Sequence, residues 1–131
     1  MVLLDTHIWL WWINGTPGKL PEHLIDRIEN AESVAVSAIS CFEIEWLVRH
    51  GRIEMGVSLD EWFTGAFSEA GLICMPVTGE IARLAASLPE HHKDPQDRLI
   101  IATSILHNTH LISADKQFSL YEEISYLLIQ P

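Results

Sequence analysis

The chain has 131 residues, of which 48% are hydrophobic, and its formal net charge is −10. This length and composition predict one folded domain over residues 1–131 and exclude a disordered chain. The absence of a long apolar run and of a secretory signal excludes membrane and secreted classes, so we expect a cytoplasmic protein. The acidic charge argues against indiscriminate phosphate binding and favours a basic partner or a cation held by carboxylates.

Apolar runs alternate with segments of helical periodicity along the whole chain. Strands are predicted at 1–4, 33–37, 72–77, 110–113 and 125–129. Helices are predicted at 6–13, 21–30, 38–50, 58–70, 78–88 and 95–108. This alternation predicts an α/β fold, a three-layer α/β/α sandwich with a central, mainly parallel sheet. In such folds the functional site lies beyond the carboxyl ends of the strands.

Two acidic residues follow predicted strands. Asp5 ends the first strand in the stretch VLLDTH, and Asp115 follows the fourth strand in LISADKQF, two residues after Ser113. Because the carboxyl ends of parallel strands share one edge of the sheet, we expect both carboxylates at that edge. Each also has a structural explanation, since Asp5 can cap the following helix and Asp115 can be a turn residue.

Glu43 is placed by helical periodicity on the buried face of the helix at 38–50. The apolar stripe that includes this position consists of Ile39, Phe42, Trp46 and Leu47. A buried carboxylate needs a partner or a cation, and that face offers no Lys or Arg in local reach. The alternative is a capping box between Ser40 and Glu43, in which Glu43 would be exposed.

Asp94 and Asp97 begin the last long helix, in the segment HHKDPQDRLIIATSIL. Asp94 followed by Pro95 is typical of a helix N-cap, and Asp97 then lies in the first turn on the same side. The helix beyond is apolar nearly all round, which predicts a buried position with its start near the edge of the sheet. The alternative for Asp97 is a favourable interaction with the helix dipole alone.

Together these segments predict a cluster of carboxylates at one end of the sheet. Carboxylates that share a cleft repel one another, and a hard divalent cation such as Mg²⁺ relieves this repulsion. Acidic sites of this kind polarise a phosphodiester and activate a water for in-line attack. Lys93, Arg98 and Lys116 stand beside these acids in the sequence and are available to flanking phosphates, and Arg98 can alternatively pair with a site carboxylate.

The cysteines and the histidine pair are predicted to be structural. Cys41 and Cys74 have no spacing typical of a disulfide or zinc framework, so we expect two small buried residues. His91 and His92 are adjacent in sequence before a helix cap, and we do not expect them to bind a metal ion.

Four motifs of the chain resemble the PIN domain, in the expected order: LLDTH, SCFEIEWL, HHKDPQDRLIIATS and LISADKQF. The likeness covers almost the whole chain, and the most similar branch is the VapC-type ribonuclease toxins of prokaryotic toxin–antitoxin pairs. The resemblance implies an α/β/α sandwich and cleavage of RNA by an endonuclease that depends on Mg²⁺ or Mn²⁺.

The resemblance also implies roles for individual residues. Asp5, Glu43 and Asp97 match the core metal-binding acids, and Asp115 matches a more variable fourth acid. Asp94 is at best accessory.

Three further positions are implied to support the site. Thr6 and Ser113 match small hydroxyl residues that orient a carboxylate or a water. His7 stands where many relatives have Ser or Asn, and we expect it to pack or to support the site indirectly.

The resemblance also implies a homodimer and an antitoxin whose tail enters the cleft, and the net charge suits a tail that carries Arg or Lys.

We therefore predict a metal-dependent endoribonuclease, the toxin of a type II toxin–antitoxin pair, with Asp5, Glu43, Asp97 and Asp115 as catalytic and metal-binding residues. A water activated by the cation is expected to attack the RNA phosphodiester. Two alternatives stay open: a catalytically silent module whose acidic cleft binds a basic protein, and a PIN nuclease outside any toxin–antitoxin pair.

Overall fold

A parallel five-stranded sheet forms the centre of the computed structural model, which describes residues 1–131. The strands are β1 (Val2–Leu4), β2 (Val34–Ser37), β3 (Ile73–Met75), β4 (His110–Ile112) and β5 (Leu128–Ile129). Their order across the sheet is β3-β2-β1-β4-β5, and every neighbouring pair is parallel. Strands β2 and β3 therefore lie on one side of β1, and β4 and β5 lie on the other side. The strand order switches between β1 and β4.

Six α-helices connect the strands. They are α1 (Thr6–Asn14), α2 (Glu22–Glu29), α3 (Ala38–Arg49), α4 (Leu59–Thr64), α5 (Gly79–Ser87) and α6 (Pro95–His107). A π-helical turn at Gly65–Glu69 extends α4, and two 3₁₀ turns at Lys116–Leu120 and Glu122–Ile124 connect β4 to β5. None of the helices is both long and apolar enough to cross a membrane.

Two apolar cores cover the two faces of the sheet, because successive strand side chains point to opposite faces. Leu3 and Leu111 belong to the core that includes residues of α5 and α6. Leu4 and Ile112 belong to the core that includes residues of α1, α2 and α4. The predicted α/β/α arrangement with a parallel sheet is confirmed.

Several predicted elements are shorter than expected. The segment predicted as one helix at 58–70 is α4 followed by the π-helical turn, in which the Ala70 N–H bonds to the Gly65 carbonyl at 2.8 Å. Strand β3 ends at Met75, next to Pro76, which has no N–H for a strand ladder. The start of the predicted last strand instead completes a 3₁₀ turn, where the Ser125 N–H bonds to Glu122 O.

The predicted apolar stripe of α3 is wrong. Ser40 and Ile44 form its fully buried side, whereas Phe42 and Trp46 are 57% and 42% exposed. The Ser40 hydroxyl lies 2.9 Å from the Thr6 hydroxyl, and this small pair allows α1 and α3 to approach closely. Helical periodicity therefore identified the helix but not the face that it buries.

The expectation for the cysteines is also wrong. Cys74 is exposed and Cys41 is half-buried. Burial, and then the neighbouring Cys74 thiol, raise the pKa of Cys41 to about 12. The two cysteines belong to α3 and to β3, an edge strand of the sheet that leaves Cys74 open to solvent.

Candidate active site

The four acids singled out from the sequence line one cleft at the carboxyl edge of the sheet. The cleft has a volume of about 330 Å³. Its lining consists of Asp5, Thr6, His7, Trp11, Glu43, Asp94, Asp97, Ala114 and Asp115. It lies beyond β1 and β4, where the strand order switches, which is the usual place for a site in an open parallel sheet.

Asp5 is held rigidly at the end of β1. Its backbone N–H bonds to the Ile112 carbonyl at 3.1 Å, and its Oδ1 accepts the Ile8 N–H at 2.9 Å, which caps α1. Its Oδ2 accepts a hydrogen bond from the Ser113 hydroxyl. Burial raises the pKa of the Asp5 carboxyl, because the charged form is poorly solvated there. The expected pairing of Ser113 with a site carboxylate is present in the structure.

Glu43 enters the cleft from α3 and is oriented by Thr6. The Thr6 Oγ1 atom lies 3.3 Å from Glu43 Oε2 and 2.9 Å from Ser40 Oγ. The alternative capping box of Ser40 with Glu43 does not form, because Ser37 caps α3. Burial, and then the nearby Asp94 carboxylate, raise the pKa of the Glu43 carboxyl.

Asp94 and Asp97 lie at the start of α6, as predicted. Asp94 is the N-cap, and its Oδ1 accepts the Gln96 N–H at 2.9 Å with Pro95 at the next position. Asp97 lies in the first turn, with its side chain 22% exposed. Burial, and then the Asp94 charge, raise the pKa of Asp97 to about 7.

Asp115 contacts a histidine that the sequence analysis assigned to a purely structural role. Its Oδ1 accepts the Gln117 N–H at 2.9 Å, which caps the 3₁₀ turn after β4. Its Oδ2 forms a hydrogen bond with His92 Nε2 at 3.0 Å, and the same nitrogen lies 2.9 Å from Asp97 Oδ2. His92 therefore joins two site carboxylates. The available sequence signal was its position two residues before the N-cap of the helix that carries Asp97.

Arg98 contacts neither a site carboxylate nor the cleft, so both predicted roles are wrong. Its buried guanidinium group donates to four backbone carbonyls at 2.7 to 3.3 Å, those of Ala86, Leu88, Pro89 and His92. Adjacent helical residues project about 100° apart, so Asp97 faces the cleft while Arg98 faces the segment between α5 and α6. Arg98 thereby holds the backbone that carries His92.

The acids of the cleft have no Lys or Arg partner. The single Lys or Arg ion pair in the protein joins Arg49 to Glu45 on the surface. Three of the four acids have raised pKa values, which burial and mutual repulsion explain. A set of carboxylate oxygens in one small cleft is the donor set that Mg²⁺ and Mn²⁺ prefer, so these residues fit a divalent cation.

Comparisons with known proteins agree with the geometry. Residues 2–124 match the PIN domain. The chain is 35% identical over 117 residues to Ribonuclease VapC22 of Mycobacterium tuberculosis, with 88% of each protein covered. Among solved structures, a toxin–antitoxin complex from Klebsiella pneumoniae aligns at a TM-score of 0.68 and 19% identity, covering 100% of this chain and 98% of that chain.

A second solved structure has the same fold. It is VapBC2 from Rickettsia felis bound to a DNA fragment of its promoter, with a TM-score of 0.69, 18% identity, and coverage of 100% of this chain and 99% of that chain. The motif order, the acidic cleft at the strand switch and the match over residues 2–124 agree, and the chain belongs to the PIN domain family.

Proposed function

We propose that this PIN-domain protein is a divalent-metal-dependent endoribonuclease and the toxin of a type II toxin–antitoxin pair. The observation that carries the proposal is the convergence of four carboxylates from separate segments in one cleft, with no Lys or Arg to neutralise them. The similarity to Ribonuclease VapC22 supports RNA as the substrate. The match over residues 2–124 supports a single PIN domain over residues 1–131.

The proposed metal ligands are Asp5, Glu43, Asp97 and Asp115, with Mg²⁺ or Mn²⁺ as the ion. A bound divalent cation supplies Lewis acidity, which polarises the phosphodiester and lowers the pKa of water. Asp5 follows β1 directly, Asp115 lies three residues after the end of the neighbouring strand β4, and the Ser113 hydroxyl contacts both residues, so the end of the sheet helps to set the separation of their carboxylates. Such preorganisation lowers the free energy that the protein must spend on ordering when the ion and RNA bind.

Glu43 is the best-placed proton acceptor for the attacking water. Thr6 contacts its Oε2 only, which leaves Oε1 without a hydrogen-bond partner in the protein. Asp5 differs from Glu43 in that each of its oxygens already accepts a hydrogen bond, one from Ile8 and one from Ser113.

The central test is Asp5→Asn. The amide oxygen still caps α1, so the fold is retained while one anionic ligand is lost. We expect RNA cleavage in Mn²⁺ to fall by about 10²-fold or more, as for other removals of a group that acts in the transition state. The matched control is Asp26→Asn on the exposed side of α2, which should cleave at the wild-type rate. Wild-type cleavage by Asp5→Asn would show that the assignment is wrong.

We also propose an antitoxin partner that inserts a basic tail into the cleft, and a homodimer. The net charge of −10 and the acidic lining support a tail that carries Arg or Lys. The exposed Phe42 and Trp46 on α3 offer an apolar surface for self-association. Sedimentation analysis of wild type and Phe42→Ser tests the dimer. Co-purification with the protein encoded by a short reading frame beside the gene tests the proposed antitoxin.

The acidic lining also fits a catalytically silent module that binds a basic peptide. Titration with Mn²⁺ and an EDTA-sensitive RNA cleavage assay separate the two functions, since a peptide-binding module needs neither metal affinity nor cleavage. A nuclease that acts outside a toxin–antitoxin pair would cleave single-stranded DNA or structured RNA at least as well as unstructured RNA in the same assay.

A further inference from the structure

We propose that His92 is a positioning residue, whose Nε2–H holds the Asp97 and Asp115 carboxylates together, and that His92 does not itself coordinate the cation. The inference rests on the proposed function, because it assigns a role within the same metal site.

The hydrogen bond at the other ring nitrogen determines the tautomer of His92. The backbone N–H of Asp94 donates to His92 Nδ1 at 3.1 Å. Since a backbone N–H can only donate, Nδ1 acts as an acceptor and carries no proton. The ring proton of the neutral imidazole is therefore on Nε2, which faces the acids as a donor and has no lone pair to offer to a cation.

The Nε2–H group lies beside the Oδ2 atoms of both carboxylates. It bonds to Asp115 Oδ2 at 3.0 Å and lies 2.9 Å from Asp97 Oδ2. Asp97 has no hydrogen-bond partner of its own in the protein, and the neutral Nε2–H group at 2.9 Å is the polar contact beside its Oδ2 atom. Asp97 on α6 and Asp115 in the segment after β4 are thereby held at a fixed separation before any ion binds.

Contacts of both its backbone and its ring hold His92 in place. Its backbone N–H donates to the Tyr121 hydroxyl at 2.9 Å, and its carbonyl accepts from Arg98 at 3.2 Å. Its ring meets Phe118 edge to face, with 6.0 Å between the centroids, and only 13% of its side chain is exposed. A side chain held in this way can orient its partners, because its own rotation is blocked.

Direct coordination by His92 is the competing explanation. Its ligand atom and those of Asp97 and Asp115 lie within 4.8 Å of one another, close enough to surround one ion. Coordination through Nε2 would move the ring proton to Nδ1, where it would face the Asp94 N–H at 3.1 Å. Two donors cannot share that contact, so the geometry favours the positioning role.

The test is calorimetric titration of Mg²⁺ and of Mn²⁺ into metal-free wild type and His92→Asn. The Asn amide oxygen can still accept the Asp94 N–H, but the shorter side chain has no donor at the Nε2 position. We expect affinity for both ions to fall by the same factor, about 10- to 100-fold, as for other residues that orient metal ligands. The matched control is the exposed neighbour His91→Asn, which should bind both ions as wild type does.

Two further variants connect the effect to the carboxylates. His92→Gln places an amide N–H₂ near the Nε2 position and should recover most of the lost affinity. In a double-mutant cycle with Asp115→Asn, the combined loss should be smaller than the product of the single losses, because His92 acts through Asp115.

Other outcomes contradict the inference. Unchanged or tighter binding by His92→Asn would show that the imidazole does not assist the site. A much larger loss for Mn²⁺ than for Mg²⁺ would indicate direct coordination by the imidazole. If circular dichroism shows that His92→Asn is unfolded, His92→Gln is the deciding variant. A loss of metal affinity of about tenfold or more in His92→Gln, despite the retained donor, would contradict the positioning role of His92. If the wild type binds neither ion, the proposed metal site fails, and this inference fails with it.

Discussion

Single carboxylates in this protein perform structural and chemical tasks with different oxygen atoms. Asp5 caps α1 with Oδ1 and presents Oδ2 to Ser113 beside the cleft. Asp115 caps a 3₁₀ turn with Oδ1 and meets His92 with Oδ2. The capping explanation is therefore correct for both residues, and it is compatible with their proposed role in the site, because a carboxylate has enough acceptor positions for both tasks.

Ser113 is the residue that connects two of the proposed ligands. Its fully buried hydroxyl donates to Asp5 and accepts the Asp115 N–H at 3.1 Å. In Ser113→Ala, the Asp115 N–H loses its acceptor and Asp5 loses a donor. We expect the free energy of unfolding to fall by about 1–3 kcal/mol. Urea denaturation measures this change.

The control for Ser113→Ala is Ser119→Ala. The Ser119 hydroxyl is exposed and bonds only to the Lys116 carbonyl, so its removal should change stability by less than about 0.5 kcal/mol. Equal stability of Ser113→Ala and Ser119→Ala would show that the buried hydroxyl contributes nothing to the arrangement of the site.

At the scale of elements, the segment between α5 and α6 depends on one side chain. Three backbone carbonyls of this segment and one in the last turn of α5 accept hydrogen bonds from the Arg98 guanidinium group, which satisfies backbone groups that have no regular secondary structure to pair with. The segment also carries His92 into the site. The sequence predicted that α5 and α6 flank a loop, and the buried arginine explains how that loop acquires a fixed shape.

Arg98→Lys should disrupt this segment although the charge is conserved. A lysine ammonium group has three donors and no planar fork, so it cannot satisfy four carbonyls in this geometry. We expect a loss of about 2–4 kcal/mol in the free energy of unfolding, together with weaker Mn²⁺ binding because His92 is displaced. Chemical denaturation and calorimetry provide the two measurements. Arg83→Lys on the exposed side of α5 should alter neither quantity.

At the scale of the whole molecule, the acidic cleft makes stability depend on pH in an unusual direction. The pKa of Asp97 is raised to about 7 in the folded protein, against 3.8 for an unperturbed Asp, and burial is the main cause. Between these values the folded state retains a proton that the unfolded chain has released. The stability of the metal-free protein should therefore fall as pH rises through this window.

Thermal melts in EDTA at about pH 5.5 and pH 7.5 test this expectation. The decrease in Tm on raising the pH should be larger for wild type than for Asp97→Asn, in which the titrating group is absent. Added Mn²⁺ should raise the wild-type Tm most at the higher pH, because the ion binds the deprotonated carboxylates of the folded state. An identical pH dependence in the two proteins would show that Asp97 is not protonated near neutral pH.

The sequence by itself determined the layered α/β architecture and most of the acidic cleft. Alternating strands and helices predict a parallel sheet, and the carboxyl end of such a sheet collects the residues that follow its strands. Asp5 and Asp115 could be assigned to this edge because each stands within three residues of the end of an apolar run. Asp94 could be recognised as a cap because its signal is contained in adjacent residues.

Only the tertiary structure decided which side chains meet across distant segments. Trp46 is exposed although it belongs to an apolar stripe, since the packing of α3 against α1 selects the buried face. His92 contacts Asp115, and Arg98 contacts the Leu88 carbonyl. Both contacts depend on the path of the backbone between α5 and α6. Local patterns specify the direction of a side chain within its own element, whereas the conformation of the connecting segment determines what that side chain contacts.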